Sequence, residues 1–182
     1  MQSLRISLIT ISFILSIQIC FSQRIDIENF NHNYLEHLIK TGIDSLRTSE
    51  GLQPLQNDSI LYNASRDHAL YMKGTNILDH TQKDNPQKET PHQRIVLYGG
   101  NFSMTAENIA FTYIYLPLAS EGSPSVIIVT DYKDLAAYFV QGWKNSPGHY
   151  RNIMRPEYNR TGVAVSYNPL TQIVFGVQKF GR

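Results

Sequence analysis

GVAVSYNPLTQIVFGVQKF, residues 162–180, decides the fold class. GVAVSY and QIVFGVQKF are rich in β-branched and aromatic residues, and NPLT between them carries turn chemistry, so the stretch reads as a β-hairpin. Upstream, SMTAENIAFTYIY, residues 103–115, alternates as a third strand, with Glu107 on the same face as Ile109, Phe111 and Tyr113. Between strand and hairpin, DYKDLAAYFVQGWK (131–144) is expected to be a helix with Leu135, Phe139, Val140 and Trp143 inward. Residues 27–47 and 58–73 show helical spacing, the first stopped by Gly51, and a short helix is expected at 91–98. A polar loop spans 74–93, PLASEGSPS reads as a loop, and VIIVT (126–130) as a short strand or a packed loop. The order of helices, strand, helix and two strands predicts an α+β domain with helices packed on an antiparallel sheet.

The amino terminus is expected to stand apart from this domain. Residues 1–22 hold one basic residue, Arg5, then a long apolar run and Ser22 before polar sequence, the build of a secretory signal peptide. The remaining 160 residues, 23–182, are enough for one domain with a proper core. Of the 16 Lys and Arg, Arg5 leaves with the signal, and the rest balance 15 Asp and Glu. A neutral chain does not point to nucleic acid or an anionic membrane as its main partner. The single cysteine, Cys20, lies in the signal, so the mature domain is expected to rely on its core without disulfides or thiol chemistry. No segment of the mature chain is long and apolar enough to span a membrane.

Few residues suggest chemistry on their own. In GWKNSPGHYRNIM, 142–154, Ser146-Pro147 is a helix start, with Ser146 expected to cap it and Pro147 at the first helical position. His149 would then sit in the first turn, where the helix dipole favours a neutral imidazole, suited equally to a metal ligand and to a general base. Glu107 on an apolar strand face needs a partner: a His, an Arg, a backbone amide or a metal. Asn108 points the other way and is expected to hold structure. His80 follows Asp79 in the polar loop, His68 lies on an apolar helix face as a core or cleft-edge histidine, and His32, His37 and His92 have no supporting context. Asn57, Asn63, Asn101 and Asn159 begin Asn-X-Ser/Thr sequons, which matter only in a host that glycosylates exported proteins.

The ordered series LRTSEGLQPL, LYNASRDHALYM, LDH, AENIA, GWKNSPGHYRNIM and YNRTGVAVS resembles the CAP superfamily, or SCP domains, and is most similar to its bacterial branch. The resemblance covers roughly residues 30–180. It implies a three-layer α-β-α sandwich with a central antiparallel sheet and one cleft. By motif, His80, Glu107 and His149 line that cleft, and His80 and His149 are the metal positions, with Zn2+ as the expected ion. Ser146 stands where eukaryotic members place a second Glu, so the acid pair is incomplete and affinity is expected to be modest. The implied function is a secreted or periplasmic binding module, monomeric, taking a metal or a small-molecule, lipid or peptide ligand. The alternative is a metal-assisted hydrolase with Glu107 as base; a third reading is an envelope role with a vestigial cleft.

Overall fold

The computed structural model describes residues 23–114 and 129–182. The signal expected at 1–22, PLASEGSPS and most of VIIVT lie outside them.

Helix α1 (His32–Ser49) starts where the Asn31 side chain accepts from the Tyr34 N–H. It begins later than its apolar spacing suggests, because the Asp26 carboxylate accepts from the N–H groups of Glu28 and Asn29 and folds that stretch into a turn. Leu35, Ile39 and Ile43 form its inward stripe, and Gly51 follows its end at φ +75°, a conformation that suits glycine. Buried Arg47 ties this end to the chain beyond, donating to the carbonyls of Gln53, Ile153 and Tyr158.

Strand β1 (Gln56–Asn57) leads into α2 (Ser59–Thr75), capped by Asp58 through the N–H groups of Ile60 and Leu61. Helix α3 (Pro91–Leu97) opens with a complete Thr90–Gln93 capping box. After β2 (Thr105–Tyr113), Asp131 caps α4 (Tyr132–Asn145), and α5 (Pro147–Ile153) follows at once. β3 (Arg160–Asn168) and β4 (Ile173–Gly181) form the expected hairpin; Asn168 Oδ1 accepts from Leu170 and Thr171 in its turn, and Gln172 takes φ +57°.

The strand order is β1-β3-β4-β2. The three long strands are antiparallel as expected, but β1 pairs parallel to β3 at Arg160 and Thr161, so the sheet is mixed. Gln56 and Asn57 are exposed and carry no strand signal, so tertiary placement alone recruits them.

Alternation sends the two sheet faces to different helices. Val163, Val165, Tyr167, Val174 and Phe180 join the stripes of α1 and α4 in the main core. Ile109, Ile173, Phe175 and Val177 pack instead with Ala69 and Met72 of α2. The result is a three-layer α-β-α sandwich of the α+β class. Two glycines permit the close approach of its layers. A Cβ on Gly162 would lie 2.1 Å from the Tyr62 backbone nitrogen, and one on Gly176 would lie 2.6 Å from the Phe139 ring.

Candidate functional site

Glu107 sits on the β2 face that turns toward α2, directly opposite Lys179 in the β2–β4 register. Its side chain is 2 % exposed, and the partners its sequence position demands are present. Lys179 Nζ bonds to Oε2, and Arg94 Nη2 donates to both carboxylate oxygens at 3.1 and 3.0 Å. The Arg94 and Lys179 side chains are fully buried. Arg94 also donates to the carbonyls of Lys88, Glu89 and His80. Burial opposes ionisation of Glu107, yet Lys179, His80, His68 and Arg94 together hold its carboxyl well below the ordinary range. Burial brings Lys179 down to about 8 against the pull of Glu107, so it remains mostly protonated at neutral pH.

His80 completes the set. Its Nδ1 is 2.8 Å from Glu107 Oε1, and the ring is half exposed. Next to a carboxylate held ionised, Nδ1–H donates to Glu107, and in that tautomer Nε2 is the nitrogen with a free lone pair. The backbone around His80 is pinned on both sides. Arg94 Nη2 holds the His80 carbonyl at 2.8 Å, and the Asp79 carbonyl lies 2.8 Å from His68 Nε2. His68 is fully buried, and burial pushes its imidazole down to about 4, so the ring is neutral. Its Nε2–H therefore donates to Asp79, while Nδ1 accepts from Gln82 at 3.2 Å. His68 is the core histidine that its apolar helix face suggests.

Ser146 and His149 come from the α4–α5 junction. Ser146 occupies the N-cap position of α5, but its side chain makes no capping bond, contrary to expectation. Its backbone does the work instead: the N–H donates to Trp143 at the end of α4, and the carbonyl accepts from Tyr150 at 2.8 Å. One residue shared by two abutting helices is held by those two bonds, and Pro147 removes an N–H that would need a cap. His149 is half-buried. Burial first, then the nearby His80, push its imidazole below its ordinary value. Asn108 reaches this helix, donating to the His149 carbonyl at 3.2 Å and accepting from Asn152 at 2.9 Å. It thus has the structural role expected of it, and adjacent residues of β2 hold His80 on one side and α5 on the other.

Two members of this cluster were not foreseen. Lys179 breaks the apolar alternation of β4 as Glu107 breaks that of β2, and the pair meets once the register is known. Arg94 has no local signal, since its partners lie in the 80–89 loop and in β2.

The model of the cysteine-rich secretory protein family (CAP) matches residues 41–180. Among curated relatives, the uncharacterized protein YkwD of Bacillus subtilis (strain 168) is 28% identical over 117 residues, 64% of this chain and 37% of its own. The uncharacterized membrane protein YlbC of the same organism is 26% identical over 127 residues, 70% of this chain and 30% of its own. The chain thus spans about a third of the length of these relatives. Among solved structures, an outer surface protein from Borrelia burgdorferi aligns with a TM-score of 0.63 at 21% identity, covering 89% of this chain and 98% of that one. An extracellular protein containing a SCP domain from Bacillus anthracis str. Ames aligns with a TM-score of 0.62 at 24% identity, covering 83% and 41%.

Proposed function

The chain belongs to the cysteine-rich secretory protein (CAP) family, and from that premise we propose that it is an extracytoplasmic binding module whose cleft centres on His80 and His149. The observation that carries this reading is the commitment of Glu107. Its carboxylate is bonded to Lys179, Arg94 and His80 at once, and a carboxylate stabilised that far is a poor proton acceptor at neutral pH. It acts on His80 instead, as the carboxylate partner that fixes tautomer and ring orientation in a histidine poised to ligate. Glu107 is therefore a positioning residue. Binding is favoured over hydrolysis with Glu107 as base.

On this reading a divalent ion would be held only modestly. Among the described residues, no group of three or more His, Cys, Asp or Glu is arranged to hold a metal. His80 and His149 would each offer one imidazole nitrogen, and water would complete the shell. A bound ion would offer its open positions to oxygen atoms of a small-molecule, lipid or peptide ligand. Ser146, at the foot of α5, adds a hydroxyl and no charge.

The extracytoplasmic setting is supported by the amino-terminal signal pattern and by the extracellular and outer-surface descriptions of the two similar structures. No described helix is long and apolar enough to cross a membrane.

Zinc titration by calorimetry tests the proposal. Saturable binding by the wild-type protein should be abolished in His80→Ala/His149→Ala while the far-UV circular dichroism is unchanged. Equal binding by both proteins would refute the assignment.

A further inference from the structure

Away from His80 and His149, one edge of the sheet is unfinished. β1 covers β3 only at Arg160 and Thr161. Farther along, outward N–H groups of β3 meet side chains of α1: Val165 donates to Glu36 at 3.0 Å and Tyr167 to His32 Nε2 at 3.4 Å. Because α1 and α2 pack on opposite faces of the sheet, their facing stripes leave a trough along this edge. Two hollows of about 600 and 450 Å³ lie in it, both lined by Asn33, Glu36 and Tyr62.

The smaller hollow is electrostatically lopsided. Arg66 and Lys73 line it from α2, seven residues apart and so on one helix face. Among the described residues neither is in an ion pair; the α2 and flanking acids Asp58 and Asp67 pair with Arg160 and Lys88 instead. The acid lining the hollow is Glu36, whose carboxyl burial pushes up to about 7 and which accepts from Val165 and Tyr62. It cannot balance two cations at any pH, and it balances neither well below 7. His32 is already engaged, with Tyr167 on Nε2 and the Phe30 backbone as a further partner. It forms a wall and leaves the two cations unanswered. Between them on the same face of α2, half-exposed Leu70 supplies apolar surface, and buried Val165 of β3 adds to it. The two cations are about 10 Å apart along the helix, so a point between them lies about 5 Å from each, inside one Debye length, and their fields add over the hollow.

We propose that this hollow is a second binding site, separate from the His80–His149 cleft, which takes a small molecule by its carboxylate or phosphate group. Arg66 and Lys73 hold the oxyanion, and the apolar part of the ligand lies against Leu70 and Val165. The site does not depend on the cleft or on any metal there.

Benzoate and inorganic phosphate are the probes, each titrated into the protein at pH 6 while the His32 ring resonances are followed by NMR. A saturable His32 shift is expected. Benzoate alone acting identifies a carboxylate ligand, phosphate alone a phosphoryl ligand, and both a general oxyanion site. Arg66→Ala/Lys73→Ala should weaken binding at least tenfold with the melting temperature preserved, and Arg66→Lys/Lys73→Arg should retain it. His80→Ala/His149→Ala should bind the probes as wild type does. No saturable shift with either probe, undiminished binding in the double alanine variant, or loss in the His80/His149 variant would each overturn the proposal.

Discussion

Replacing Glu107 by glutamine removes the carboxylate that Lys179, Arg94 and His80 share. The shape is kept, but two fully buried cations lose their counter-charge. Removing one partner of a buried ion pair typically costs about 3–5 kcal/mol, because the remaining charge stays desolvated. In a domain of this size each kcal/mol shifts the melting temperature by about 2–4 °C, so Glu107→Gln should lower it by roughly 10 °C at pH 7. Differential scanning calorimetry reads this directly. Adding Lys179→Met to Glu107→Leu removes the pair together and should recover more than half of the loss, since Arg94 still has three carbonyl acceptors. The pH dependence has a defined sign. Glu107 is depressed in the folded state, so its contribution is fully present above the unfolded carboxyl value near about 4.3 and is lost as pH falls below it. Glu107→Gln should flatten that acid limb. A melting-temperature change under about 2 °C, or no recovery in the double variant, would refute the counter-charge argument.

Glu36 should show the opposite pH behaviour. Its folded value is raised to about 7, so its contribution is fully present below its unfolded value and is lost as pH rises through 7. Thermal melts from pH 5 to 8 should show wild type losing up to about 3 kcal/mol that Glu36→Gln retains. Gly162→Ala places a Cβ against the backbone of Leu61 and Tyr62, at 2.3 and 2.1 Å, where no flexible side chain can yield. A loss of at least about 3 kcal/mol is expected from urea unfolding. Asn108→Ala frees the His149 carbonyl and Asn152. It should cost about 1–2 kcal/mol and shift the His149 ring resonance, read by chemical denaturation and NMR.

What sequence determined here is what local physics can carry. Helical and alternating periods set the long elements, though the Asn31 cap starts α1 later than the apolar spacing over 27–47 suggests. The charge of Glu107 on an apolar strand announced that a partner must exist, and the ordered motifs pointed to His80 and His149. Which partner it was, no local pattern could say. Lys179 is 72 residues away and meets Glu107 only through strand register, while Arg94 arrives on a separate helix. Tertiary structure also overruled Ser146 as a side-chain cap, because α4 and α5 abut and claim its backbone. It added parallel β1 and opened the Arg66–Lys73 hollow where that strand stops short. Ion pairs and edges of this kind depend on which segments pack together, and the free energy of burying a charge is decided by the whole surrounding shell rather than by the neighbours in the chain.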